Sequence, residues 1–143
     1  MREAHLLISG ASPRTTTAHY SLLTTHCIFG FFMNIGIDIE EVKRFEKYVK
    51  DKERLERLFS KDEIVYCLSK KNPAQNLAGR FCAKEAVWKA LGKENKKILV
   101  TDISVKNNAG GVPEVYIQNK KRGDIKVSLS HTKKYAAAAA IVL

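Results

Sequence analysis

The stretch from Asn72 to Gly92 constrains this chain most, because it carries both its own start and its own stop. Asn72 is an N-cap residue type, Pro73 sits at the first helical position, and Gln75 completes a capping box. At the other end Gly92 follows Leu91 as a C-terminal cap. Between these ends Leu77, Phe81, Trp88 and Leu91 recur at helical spacing, which predicts a stripe facing the core. Whatever surrounds this helix must offer it an apolar surface.

The flanking segments supply that surface. Ile35, Ile37 and Ile39 alternate with Gly36, Asp38 and Glu40, the pattern of a strand whose apolar face is the isoleucine face. Residues 41–58 read as one helix with Val42, Phe45, Val49, Leu55 and Leu58 as its apolar points. Ser60 and Glu63 make a capping box for a short helix carrying Ile64, Val65 and Leu68. Beyond Gly92 the signals are those of strands. Leu99, Thr101, Ile103 and Val105 alternate, Asn107 to Gly111 supply a turn, and Val115 and Ile117 begin the next strand. Lys120, Lys121 and Arg122 look like a hairpin tip, and Ile125, Val127 and Leu129 alternate again. Ala136 to Ala140 favour helix by intrinsic propensity. That tail is short and ends in β-branched Ile141 and Val142, so it reads as a strand. The fold class is α+β, helices packed on an antiparallel sheet.

With 143 residues, 45% of them hydrophobic, the chain suits a single domain with a modest core. Residues 1–32 stand apart: rich in Ser, Thr and His, they hold only Arg2, Glu3 and Arg14 as charged groups and lack periodicity. Translated upstream sequence, a transit peptide and a poorly ordered tail all fit that composition. An extension without function is favoured, with residues 33–143 as the working domain and Met33 as its start. No apolar run approaches the ~20 residues needed to span a bilayer, so no membrane partner is expected. Cys27, Cys67 and Cys82 are odd in number and form no CxxC pair, which fits reduced thiols in the cytoplasm. The net charge of +10 implies an anionic partner. A nucleic-acid-binding module is the alternative. It is disfavoured because aromatic residues do not interleave with the basic clusters and no RNP-like or helix-turn-helix signature is present.

Few residues can carry chemistry. Asp38 lies opposite the three isoleucines and, taken alone, fits an exposed strand face. Glu85 falls four residues after Phe81 and three before Trp88, at the edge of the helical stripe, where a carboxylate is poorly solvated. Lys89 follows Glu85 by four on the same side. Magnesium typically takes one or two carboxylates with waters and phosphate oxygens, and Asp38 with Glu85 suits that habit. Ser128, Ser130, His131 and Thr132 cluster beside Lys133 at a strand end, where phosphate binding and a structural role are both open. The residues alone reach a magnesium and phosphate site and go no further.

Three segments go beyond this. Gly36-Ile37-Asp38-Ile39 resembles the first signature of the holo-acyl-carrier-protein synthase family of phosphopantetheinyl transferases. The run from Gly79 to Gly92, with Arg80, Lys84-Glu85-Ala86 and Lys89 in place, is similar to its specific second signature. Ser128 to Thr132 followed by Tyr135-Ala136 resembles the third, and Gly111-Val112-Pro113 matches its Gly-x-Pro turn. One departure is that Lys93, Glu94, Asn95, Lys96 and Lys97 stand where the family usually has a second glycine. The resemblance implies a phosphopantetheinyl-transferase-like fold and transfer of 4'-phosphopantetheine from coenzyme A to an acyl-carrier-protein serine, in support of fatty acid biosynthesis. It implies Asp38 and Glu85 as magnesium ligands, with Glu85 and Lys89 catalytic. His131, Lys84 and Thr132 would bind coenzyme A, and Arg44 would dock an acidic carrier protein. A homotrimer with active sites between subunits is expected, and no nucleic-acid partner.

Overall fold

A computed structural model describes residues 33–92 and 97–143. The extension expected over residues 1–32, Cys27 within it, and the lysine-bearing segment 93–96 lie outside the described residues. Strand β1 (Asn34–Glu41) runs antiparallel along the whole of the C-terminal strand β6 (Tyr135–Val142), whose other edge pairs with β5 (Ile125–His131). The alanine run is therefore the central strand of this sheet. Hydrogen bonding on both edges outweighs the weak helical propensity of alanine. A second antiparallel sheet has the order β2 (Ile103–Asn107), β3 (Pro113–Ile117) and β4 (Lys120–Arg122).

Helix α4 (Pro73–Leu91) lies across the first sheet and is buried along most of its length. Its contact with β1 is unusually close. A Cβ on Gly36 would sit 2.0 Å from the carbonyl oxygen of Ala86 and 2.6 Å from the amide nitrogen of Ala90. Opposite Gly36, Ala140 continues the seam, and Ala138 and Ala136 extend it along β6, all buried. Small residues on both elements bring the helix axis down onto the sheet.

This packing reverses the expected orientation of β1. Gly36, Asp38 and Glu40 face the helix, whereas Ile35, Ile37 and Ile39 are 64%, 64% and 65% exposed. The alternation was correct, but the glycine side is the inner one. Trp88 also departs from the predicted stripe, since it is 44% exposed and only its indole N–H is tied down, donating to the Ile98 carbonyl at 2.9 Å. Core contact falls instead to Leu77, Phe81, Val87 and Leu91 with the helix alanines.

The segment expected as one helix over residues 41–58 is broken. It forms α1 (Val42–Glu46), a 3-10 turn at Tyr48–Lys50, and α2 (Lys52–Leu58). The Asp51 carboxylate accepts from the Arg54 amide at 3.1 Å, restarting the helix there. Val42, Phe45 and Leu55 are buried as expected. Helix α3 (Lys61–Leu68) has the predicted capping box, but it buries Glu63 and Cys67 while Val65 and Leu68 are exposed. The residues around Thr101 form a 3-10 turn, Val100–Asp102, before β2 begins. The tip of the last hairpin in the second sheet is Gln118-Asn119, both at positive φ, and Lys120–Arg122 form β4.

Gly36→Ala should cost at least ~1–3 kcal/mol, because the added methyl meets backbone that cannot turn aside. Gly79→Ala is the control. Its methyl would meet only the Leu129 side chain at 3.7 Å, and helix propensity favours alanine. Thermal unfolding should show a large loss for Gly36→Ala and none for Gly79→Ala; equal losses would refute the close-approach account.

Candidate active site

The inner face of β1 and the outer half of α4 bring together residues 38, 85 and 89. The Lys89 ammonium donates to Asp38 Oδ1 at 2.7 Å and to the Ile37 carbonyl at 3.2 Å. Asp38 is 12% exposed at its side chain, and its second oxygen, Oδ2, is buried with no hydrogen-bond partner among the described residues. A buried carboxylate oxygen left unpaired is costly, and a water or a cation reaching it would relieve that cost. Cys82 lies beside Asp38, yet its thiol donates to the Ala136 carbonyl at 3.2 Å. Burial and then Asp38 push that thiol up to about 12, and burial does the same to Cys67, so neither is a nucleophile at neutral pH.

Glu85 completes the group. Burial raises its carboxyl above the ordinary value and the charge of Asp38 raises it further, with Lys89 opposing. Its charge in turn helps raise Lys89, after the hydrogen bond from Lys89 to Asp38. Among the described residues no three acidic, His or Cys side chains are grouped to hold a metal unaided. Two carboxylates, one with a free oxygen, are nevertheless a donor set that suits magnesium, whose remaining ligands come from water and phosphate.

Arg44 projects from α1 beside this group. Its Nη1 donates to both oxygens of Glu40, at 2.5 and 2.7 Å, and that hydrogen bond is the main reason its pKa is raised. The guanidinium lies over the rings of Phe45 and Phe81, 5.8 and 5.6 Å from their centroids. Glu40 was not anticipated as a site residue. Its place two residues after Asp38 on the same face was the available signal.

A cleft of about 340 Å³ opens on the other flank of α4, where the helix faces β5. Its lining includes Asn76, Gly79, Arg80, Gly111, Ser128 and His131, so the second and third signature segments and the Gly-x-Pro turn meet in one place. Arg80 is buried, donates to Asn107 Oδ1 at 2.5 Å, and stacks on Tyr66 at 4.7 Å. It is a site residue that the sequence reading passed over. Gly111 holds φ 80°, which reserves that turn for glycine.

Two expected coenzyme A contacts are occupied elsewhere. Lys84 is buried, donates to the Leu58 carbonyl and pairs with Glu63 at 3.7 Å. Burial lowers its pKa, and the ammonium faces the core rather than the cleft. The signature lysine reads as polar but sits on the inward side of a nearly all-buried helix. The Thr132 hydroxyl accepts from the amides of Lys134 and Tyr135 at 3.2 and 3.0 Å, closing the turn between β5 and β6. Its carbonyl accepts from Gln75 at 2.7 Å, which ties that turn to the start of α4.

A carboxylate pair with a bound lysine lies on one flank of a sheet-packed helix, and a cleft holding Arg80 and His131 on the other, an arrangement able to receive a phosphate-bearing substrate. Residues 34–140 match the family model of the 4'-phosphopantetheinyl transferase superfamily. The chain is 43% identical to the holo-[acyl-carrier-protein] synthase of Moorella thermoacetica over 119 residues, 77% of this chain and 93% of that protein. It is 44% identical to that of Treponema denticola, over 77% and 97%. The crystal structure of the Helicobacter pylori holo-[acyl-carrier-protein] synthase in complex with coenzyme A superposes with a TM-score of 0.64 at 32% identity, covering 76% of this chain and 99% of that one. This chain belongs to the 4'-phosphopantetheinyl transferase superfamily, and to the holo-acyl-carrier-protein synthase type within it. Among the described residues no helix is long and apolar enough to cross a membrane.

The raised pKa of Glu85 has a consequence for the metal-free protein. Its charged form is disfavoured on folding, a penalty absent below the unfolded value near 4.5 and complete above the folded value. In chelator, Glu85→Gln should therefore melt above wild type at pH 7, and the gap should close as pH falls toward that value. Scanning calorimetry across pH tests this; a variant less stable than wild type at pH 7 contradicts it.

Proposed function

We propose that the chain transfers the 4'-phosphopantetheine moiety of coenzyme A to a serine of apo-acyl-carrier protein in the cytoplasm, giving holo-carrier and 3',5'-ADP in support of fatty acid biosynthesis. The observation that carries the reading is the unpaired, buried Oδ2 of Asp38 beside Glu85 and Lys89. Asp38 and Glu85 would hold magnesium, which when bound would supply charge neutralisation at the pyrophosphate. The serine oxygen forms a bond to the β-phosphorus and the bond to 3',5'-ADP breaks. Glu85, grouped with Asp38 and Lys89, takes the serine proton. Lys89, held charged by Asp38, neutralises the departing phosphate. His131 and Arg80 line the cleft that takes the nucleotide. Arg44 docks the acidic carrier.

In this reading the enzyme is a homotrimer. The outer face of the first sheet presents Ile35, Ile37, Ile39, Tyr135 and Ile141, an apolar surface of the kind that marks an interface. Helix α4 separates each chain's carboxylates from its own cleft, so a neighbouring copy brings the two halves together.

Asp38→Asn or Glu85→Gln should leave the fold intact and lower the rate of carrier modification, read by mass spectrometry, about 100-fold or more. The magnesium needed for half-activity should rise; equal rates in EDTA and in magnesium remove the metal from the mechanism. Ile37→Glu should convert trimer to monomer in sedimentation and abolish turnover. Mixing Asp38→Asn with His131→Ala chains should restore activity that neither has alone. A fully active monomer rules out shared sites.

A further inference from the structure

The guanidinium expected to dock the carrier is already holding a carboxylate. Arg44 Nη1 bonds both oxygens of Glu40, and Glu40 is only 14% exposed while Arg44 is half exposed. From this geometry we propose that Glu40 is an internal stand-in for the carrier's carboxylate, so that docking requires an acidic group to displace it from Arg44. This rests on the reading of Arg44 as a docking residue.

Glu40 is not the sole support of Arg44. The guanidinium also lies over the rings of Phe45 and Phe81, 5.8 and 5.6 Å from their centroids, and keeps that aromatic contact when Glu40 is displaced. What Glu40 adds is charge. A free arginine presents a full positive charge to an approaching acidic surface, whereas the Arg44–Glu40 pair presents a dipole whose field decays faster. A partner carrying diffuse negative charge then gains little at this position. One that places a carboxylate against the guanidinium regains a full charge-assisted bond. The effect is lower affinity for every carrier and sharper discrimination among anionic surfaces, which matters for a chain of net charge +10. It also lets the modified carrier leave, since Glu40 retakes Arg44 as the product lifts away. Glu40 is thus a specificity-determining residue for the carrier.

A double-mutant cycle on the full chain tests this, with apo-acyl-carrier-protein binding measured by calorimetry in the absence of coenzyme A and magnesium. Arg44→Gln should weaken binding about tenfold, which tests the docking reading separately; no change would mean that Arg44 does not dock the carrier. Glu40→Gln should tighten binding at least threefold, and Glu40→Asp, which keeps the charge but withdraws the carboxylate by one methylene, should shift it the same way. In the Arg44→Gln background, Glu40→Gln should change affinity by less than twofold. The inference is overturned if Glu40→Gln weakens binding, because Glu40 would then be orienting Arg44. It is equally overturned if the gain is the same in both backgrounds, because general electrostatics would then account for it.

Discussion

The approach of β1 to helix α4 at Gly36 sets the rest of the molecule. Two alanines of the helix lie where a side chain on that strand position would have to go. With no side chain there, the strand can lie against the helix backbone, and the next inward residue, Asp38, arrives within hydrogen-bonding reach of Lys89. Any larger residue at 36 would lift the strand and pull Asp38 away from both helix partners. The alanines of β6 extend the same logic across the sheet, since Ala136, Ala138 and Ala140 present only methyl groups to the helix. A core built from methyls gains less from burial than one built from leucines. What this seam provides is geometric accuracy at the site.

That trade explains why the core needs polar anchors elsewhere. Glu63 is fully enclosed, and its oxygens accept from the Val105 amide, the Ser60 amide and the Ser60 hydroxyl, each at 2.9 Å. With Lys84 as its counter-ion, one carboxylate links α3, α4 and β2 and satisfies a helix N-terminus at the same time. Removing either partner would strand a buried charge, which is far costlier than losing the pair together. The signature lysine therefore contributes to the reaction through architecture: it fixes the helix from which Glu85 and Lys89 project.

The legible parts of the sequence were those with local signals. Pro73 and Gly92 bounded α4, although Asn72 makes no side-chain cap and Gln75 reaches the Thr132 carbonyl instead of closing a capping box. Ser60 and Glu63 opened α3, alternation marked β1 and β5, and the short tail with its β-branched end marked β6. Direction was not legible, because alternation defines two faces without saying which is inside. Isoleucine was the reasonable choice for the core side of β1, yet a helix backbone excludes it, and only Gly36 carried that information. The same ambiguity misplaced Trp88 and Lys84, for a helix buried on nearly all sides has no polar face to orient by. Asp38, Glu85 and Lys89 were singled out by residue type, helical spacing and the resemblance, and the fold brings the three together. Arg80 and Glu40 were missed because their partners, Asn107 at 27 residues' distance and Arg44 on the following helix, are set by the fold and not by local pattern.

The pairing of Lys89 with Asp38 is the last piece of the same design. Two neighbouring carboxylates repel, and Glu85, raised first by its burial, is raised further by the charge of Asp38. Lys89 offsets part of that repulsion by taking one oxygen of Asp38, and Oδ2 is left without a hydrogen-bond partner among the described residues. Because the lysine is 45% exposed at its side chain, its ammonium can move without unmaking the core. In the structure described it holds the two carboxylates in one group, bonded to Asp38 and acting on Glu85 through its charge.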